Sequence, residues 1–519
     1  MKLRKIYTSA GILLLSLFCI GDAVAKDAKF ETGVSFGSTG ADEPYSSLTD
    51  KDGNYYISGM CRGDVEFAGG ATIKGRGGMD AVIVKYDAEL NFLWARAVGG
   101  SKDDTFERIA VTSAGDIVAV GKISGDITID GTDQTLSGTQ STDGCIVVYD
   151  KDGNYKSSAQ IKAAGASLCY SVAVDKSDNI FVTGSTVGAT DFGNEKTVTI
   201  EGSNPGTFLA CYNNSLVCQW AIAGSSPVQS YGWAVNFDKE ENILLTGRFG
   251  TTFTITGTDG EALTTAVGSE SSQDTYVAKL SHEGVGRWIT YVTNSNRIDT
   301  RSIDSDSQGN VYIWGHCQSA VTPEGQSPLG FNGNFDSFLI KYSSAGAYLD
   351  GMNLGGSGRD EAKSLFVDAD DNIYVAGNVN GDGSKGGTAV NMNPRGESKD
   401  YTFKGHDGYV AKYNGSTWEL MQLEKTVTPD NANQHEVAWC VTMSPDYNKV
   451  YVTGYFNNGA TVFDGASLTL PFVQDYDIYT VLYSYTLMVK TKTLEPGVAN
   501  EPYYSNIVVD NVCLLYTSP

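Results

Sequence analysis

The sequence is short of the residues that carry most enzyme chemistry. Four histidines stand among 519 residues, at 282, 316, 406 and 435, and no two have metal-ligand spacing along the chain. The one G-x-S-x-G match, GVSFG at Gly33–Gly37, lies in the segment that aligns with a fourth strand and not at a strand-to-helix turn, and there is no phosphate-binding glycine loop. Carboxylates are plentiful, but none can be paired as acid and base from the sequence alone. A catalytic role therefore has no local signature, although a site assembled from distant segments would leave none. Basic residues are also few: 37 Lys and Arg face 61 Asp and Glu, a formal charge of −24. An acidic surface repels phosphate backbones, which argues against nucleic acid as a partner. Beyond the N-terminus no apolar run is long enough to form a transmembrane helix. Of the nine cysteines, Cys19 and Cys513 lie in terminal segments set apart below. The other seven are odd in number and thinly spread, which is not a disulfide framework. Cys211 and Cys218 flank a YNNSLV turn and are the pair a hairpin would bring together; the alternative is that both are reduced and buried.

What the chain does contain is glycine (60 residues), tyrosine (29) and a recurring block. The block reads NYYISG, DIVAVG, NIFVTG, NILLTG, NVYIWG, NIYVAG and KVYVTG, ending at Gly59, Gly121, Gly184, Gly247, Gly315, Gly377 and Gly454. The intervals are 62, 63, 63, 68, 62 and 77 residues, so one supersecondary unit recurs seven times. In the third copy the expected strands are Ser171–Asp175, Asn179–Gly184, Thr207–Tyr212 and Val217–Ala223, with a loose excursion after the second. The strands are apolar at consecutive positions, as in sheets covered on both faces. Four-stranded antiparallel sheets of that kind, repeated in tandem, stack radially as a β-propeller. The fold class is all-β.

The copies AVDKSDNIFVTG, DAVIVKYDAELNFLWARAVGG and FVDADDNIYVAG resemble the bacterial seven-bladed β-propeller repeat family called SBBP. The resemblance covers roughly residues 30–512 and implies an exported or surface propeller, with no catalytic residues. The seventh copy departs most, since its fourth strand around TLMVKTKT lacks the tryptophan and the glycine pair. Phe30–Gly37 aligns with a fourth strand, and SNIVVD near Asp510 with a first strand. Seven blades are expected, eight being the alternative if SNIVVD opens a further unit.

The termini read differently. Residues 1–25 have the basic, apolar and A-x-A layout of a secretory signal peptide, so a periplasmic, cell-surface or extracellular location is expected. Phe18 stands before Cys19 where lipidation wants a small residue, which favours ordinary cleavage. Residues 26–512 are assigned to the propeller. Residues 513–519, CLLYTSP, resemble a translated transposon-type sequencing adapter and are left out of the fold; a longer natural chain is expected.

Two features resemble binding sites. The DKDGN turns at Asp50 and Asp150, and the similar DADDN at Asp368, look like the opening of a calcium loop, but no bidentate Glu follows at fixed spacing. The motif also occurs in two different loops of the unit, which favours a tight hairpin turn, so no cofactor is expected, with calcium as the alternative. The second feature is where the copies disagree. Anchoring each unit on its glycine aligns the residue just before the first strand, which is Tyr45, Glu107, Tyr170, Trp233, Arg301, Lys363 and Trp439 in turn. Aromatic rings with interleaved charges on one rim suit a glycan or a protein ligand. Tyr45, Tyr170, Trp233, Arg301, Lys363 and Trp439 are therefore candidate ligand contacts of a non-catalytic binding module; the plainer alternative is that they cap the junctions between units. The rival functions are a propeller enzyme, such as a polysaccharide lyase or hydrolase, and a structural display module.

Overall fold

The computed structural model describes residues 26–266, 273–380, 388–403, 405–427, 435–457, 461–463, 466–468, 470–471, 473–487, 504–509 and 512–517. The expected signal peptide and most of TLMVKTKT (486–493) lie outside them. Phe30–Leu482 forms one compact unit. Met1–Lys29 and Tyr483–Pro519 form a second, in which Tyr504–Val509 pairs antiparallel with Val512–Thr517. The SNIVVD strand thus pairs with the segment read as an adapter, in a separate two-stranded sheet.

The larger unit is built from antiparallel strands, with no α-helix among the described residues. Each glycine block is the second strand of a repeat. In the third repeat the order is Ser167–Val174, Ile180–Thr186, Gly206–Tyr212 and Cys218–Ser225. The first strand begins four residues earlier than the sequence pattern indicates, because a register slip at Tyr170 interrupts its alternation. Second and third strands such as Tyr55–Cys61, Asp80–Tyr86 and Gly206–Tyr212 are buried at every position. Adjacent repeats pack face to face over them: Val118, Val120 and Ile146 of the second repeat share a core with Val172, Val182 and Phe208 of the third.

The excursion after the second strand is not loose. In the third repeat it forms a hairpin, Gly188–Asp191 with Thr197–Ile200. That hairpin pairs with the last strand of the preceding repeat, Lys162 to Asp191 and Ala163 to Thr190. The hairpin Thr252–Thr256 with Ala262–Ala266 does the same for Gly224 and Ser225. Each covers an edge that would otherwise expose unpaired backbone groups.

The seventh repeat is completed from the opposite end of the chain. Its sheet runs Glu436–Met443, Lys449–Phe456, Asp477–Leu487 and then the N-terminal strand Lys26–Phe36. Phe36 packs against Ile478 and Leu482. The N-terminal fourth strand seen in the sequence thus takes the place assigned there to TLMVKTKT. The first repeat meets the seventh through Thr49, whose hydroxyl donates to the Met443 carbonyl at 2.6 Å, and Tyr55, whose hydroxyl lies 2.6 Å from that of Thr453.

The acidic turns are structural. Asp50 Oδ1 accepts the Asp52 and Asn54 N–H groups (3.0 and 2.9 Å), and Oδ2 accepts the Asn54 amide at 2.8 Å. Asp150 and Asp368 repeat the pattern. Both oxygens are used inside the turn, as a tight hairpin turn requires. Behind several turns the lysine of the third strand is buried against the same aspartate: Lys279 lies 2.6 Å from Asp238 and Lys341 3.1 Å from Asp306. The third repeat has Cys211 at that position, and His282 of the next repeat reaches Asp175 at 2.6 Å instead.

The candidate Cys211–Cys218 pairing does not occur. The register sets Tyr212 opposite Cys218 and Trp220 opposite Cys211. Cys218 therefore faces one core with Tyr212 while Cys211 faces the other, and both are free thiols. Side chains alternate faces along a strand, so one residue of register separates the pair.

The G-G-x-x-x-D element stitches successive repeats. Asp104 accepts the Gly100 N–H at 2.9 Å and the Ser124 N–H at 2.7 Å; Asp360 accepts Gly356 at 2.6 Å and Asn380 at 3.2 Å. Burial pushes both carboxyls up to about 7, with the charges of Asp80 and Asp336 across the junction adding to it. A carboxyl whose folded pKa is raised holds its proton longer folded than unfolded, so its contribution to stability declines as pH rises from about 4 to about 7. We predict that Asp80→Asn and Asp336→Asn raise the melting temperature at pH 8 and leave it nearly unchanged at pH 5, measured by thermal unfolding at both. Equal shifts at the two pH values would show that the junction charges do not repel.

A cavity lined by seven bulge residues

The recurring glycine and the variable residue turn out to be two sides of one device. In all seven repeats the register between first and second strands slips at one residue: Tyr45, Glu107, Tyr170, Trp233, Arg301, Lys363 and Trp439. Each is the extra residue of a β-bulge inside the first strand, not a residue preceding it. A bulge re-aims the side chain it carries. It also pushes a carbonyl toward the neighbouring strand. A Cβ on Gly184 would collide with the Leu168 carbonyl, one on Gly121 with that of Thr105, and one on Gly454 with that of Val437. The same clash recurs at Gly59, Gly247, Gly315 and Gly377. Glycine is kept because the bulge leaves no room for a side chain.

All seven bulge residues line one cavity of about 80 Å³, together with Ser47, Arg108, Ser364 and Cys440. On one side Tyr170 packs on Trp233, ring centroids 4.4 Å apart, and Tyr231 stacks behind Trp233 at 5.6 Å. On the other side Tyr45 meets Trp439 at 5.6 Å. The cations sit between these aromatic groups. Arg301 lies over the Trp233 ring (5.5 Å to the centroid) and Lys363 over Trp439 (4.2 Å). Lys363 is paired with Glu361 at 2.8 Å. Burial alone would raise the Glu361 carboxyl, but Lys363, His316 and Arg359 hold it well below the usual range.

Arg108, the residue after the second bulge, was not marked by the sequence pattern. Its guanidinium donates to the Arg301 carbonyl at 3.5 Å, so it reaches from the second repeat to the fifth. It lines both this cavity and another of about 300 Å³, walled by Ile109, Val172, Val235, Ile303 and Leu365. Glu107 accepts the Thr105 hydroxyl at 2.7 Å; burial raises its pKa, opposed by Lys122 and Arg301.

Beside the cavity lies a charged cluster that the sequence could not assemble. Asp299 contacts Arg297 at 2.6 Å, Arg248 at 3.3 Å and His316 at 3.6 Å. Burial works against its ionisation, but His316 and the neighbouring arginines keep it well below the ordinary carboxylate range. Burial lowers the pKa of His316. The Asp299 and His316 side chains are 1% and 4% exposed. His406 and His435, 29 residues apart in sequence, stack at 4.1 Å. Among the described residues no three His, Cys, Asp or Glu side chains are grouped to hold a metal. No helix among them is long and apolar enough to cross a membrane.

The chain is similar to an uncharacterized WD repeat-containing protein, L264, of Acanthamoeba polyphaga mimivirus, with 21% identity over 435 residues. That alignment covers 68% of this chain and spans only 31% of the viral protein. Among solved structures it is similar to the Dos1 propeller, with TM-score 0.37, 9% identity, and 88% and 95% of the two chains covered. Another is the Pseudomonas aeruginosa periplasmic gluconolactonase PpgL, with TM-score 0.36, 10% identity, and 81% and 98% covered. Residues 158–193, which include the Tyr170 bulge and Gly184, match the model of the SBBP family, described as a beta-propeller repeat. One segment of the chain, residues 158–193, thus matches the beta-propeller repeat that its sequence resembles.

Proposed function

We propose that the seven repeats close as a seven-bladed propeller, exported from the cell, which works as a non-catalytic interaction module with its ligand at the bulge-lined cavity. One observation carries this reading: seven aligned positions that change from repeat to repeat converge on a single cavity, while the glycine block paired with each recurs. Variation gathered on one concave, aromatic and charged surface is what a recognition site requires. The N-terminal strand that completes the seventh sheet supports ring closure, and the basic, apolar and A-x-A layout of residues 1–25 supports export.

The rival enzymatic reading needs a reactive cluster that substrate can reach. The Asp299–His316 cluster has suitable residue types, but neither side chain lines the cavity, and Asp299 is already engaged by two arginines. This favours binding over hydrolysis. The cavity is far smaller than the ~300–1,000 Å³ of pockets that engulf a whole small ligand. The recognised element is therefore one small group, with the rest of a glycan or protein resting on the aromatic rim.

Replacing Tyr170, Trp233 and Trp439 together with alanine is expected to abolish ligand binding, screened on glycan and peptide arrays, while the far-ultraviolet circular dichroism stays unchanged. Retained binding by a folded triple variant would remove the cavity from the function.

A further inference from the structure

We propose that the group entering the cavity is a carboxylate, carried by a sugar of the uronic-acid type. This rests on the binding role above and goes further by naming the ligand chemistry. The first support is a charge imbalance. Around the cavity most cations have a carboxylate partner: Lys363 has Glu361, and Arg248 and Arg297 have Asp299. Arg301 and Arg108 differ. Among the described residues neither makes a close ion pair; Arg301 lies over the Trp233 ring and acts on Asp299 and Glu107 only at longer range, and Arg108 has a backbone carbonyl at 3.5 Å and Glu107 at longer range. In a chain of formal charge −24, a cavity lined by Arg108, Arg301 and Lys363 with Glu107 as its lining carboxylate is a local reversal of sign. A guanidinium presents a planar fork of donors that matches a carboxylate.

The second support is the set of donors left over. The Trp233 indole N–H and the Arg301 Nε–H are buried without a hydrogen-bond partner. Both residues line the cavity, so two unused donors accompany the unbalanced charge. Glu107 lies in the same cavity and repels an anion from its own side, which directs the carboxylate toward Arg301 and leaves Glu107 to accept a hydroxyl. Size and shape then select the carrier. About 80 Å³ admits a carboxylate but not the ring behind it. That ring must rest above the cavity, on the half-buried rings of Tyr170, Trp233, Tyr45 and Trp439 that line it, where the C–H face of a sugar can stack on aromatic faces.

Trp233 and Trp439 are built-in reporters, so the test is a tryptophan-fluorescence titration of the full chain. The probes are glucuronate, galacturonate, their methyl esters, and N-acetyl-glycylglycine as a peptide-type carboxylate. At least one free uronate is expected to saturate the signal and to bind tenfold or more tighter than its ester. Arg301→Met should remove that preference, and Arg301→Lys should restore part of it. The ester comparison uses unaltered protein, so it stands even if an Arg301 variant fails to fold. Esters binding as well as uronates would overturn the carboxylate assignment while leaving the cavity as a sugar site. Tighter binding of the dipeptide would overturn the sugar. No response to any probe would overturn the inference, whereas the binding role itself fails only if the triple alanine variant keeps its ligand.

Discussion

Alanine at Gly184 is expected to destabilise the protein by about 2–4 kcal/mol, at the upper end for an overpacked site, although only one methyl group is added. The methyl would collide with the Leu168 carbonyl and would also crowd the Phe208 ring. The carbonyl is backbone held by the bulge, so it can yield only if the bulge flattens. Flattening restores a regular ladder between Ser167–Val174 and Ile180–Thr186 and turns Tyr170 away from the cavity. The variant should therefore lose stability in urea unfolding and also lose the contact of Tyr170 with Trp233. Gly330 is the control, because a Cβ there meets nothing within 4 Å. If Gly330→Ala costs as much as Gly184→Ala, the bulge does not explain the glycine.

Lys279→Met should cost about 3–5 kcal/mol, the range for leaving one charge of a buried pair unpartnered. Lys279 and Asp238 are 7% and 1% exposed and lie 2.6 Å apart. Burial opposes ionisation of Asp238, but Lys279 and Asn242 outweigh it, and its pKa is lowered. A lowered carboxyl contributes stability above its unfolded pKa near 4 and loses it as pH falls through the folded value. The gap between variant and parent should thus be wide at pH 7 and narrow below pH 4, where Asp238 takes a proton in the variant. Adding Asp238→Asn to Lys279→Met should recover part of the loss at pH 7, because Asn keeps one oxygen for the Glu240 and Asn242 N–H groups. A double variant as weak as Lys279→Met alone would mean that lost packing of the lysine stem, not an orphaned charge, sets the cost.

The period and the strand types were legible because glycine and consecutive apolar residues are direct imprints of tight backbone contact and two-sided burial. The cavity residues were legible for the opposite reason, since they vary while the glycine block paired with each recurs. Their bulges were not, because a bulge is a property of pairing between strands and has no side-chain signature of its own. Arg108 was missed because its role depends on reaching the fifth repeat, a distance no local pattern encodes. The excursion strands had a sign that could have been weighed: Thr197–Ile200 alternates exposed and buried positions, as an edge strand should. The candidate Cys211–Cys218 pairing failed on a single residue of register, which turn length alone does not set.

One consequence of the bulges concerns how such a protein changes over time. An ordinary core position is constrained by neighbours on both sheets, so replacing it requires compensating changes. A bulge residue stands outside the ladder, and its partner glycine offers no side chain to accommodate. Each repeat therefore holds one position that can be exchanged by a single codon change without disturbing the strand pairing on either side of it. Seven such positions facing one space let the same frame acquire new specificities by substitution alone, with no loop to lengthen and no new element to fold.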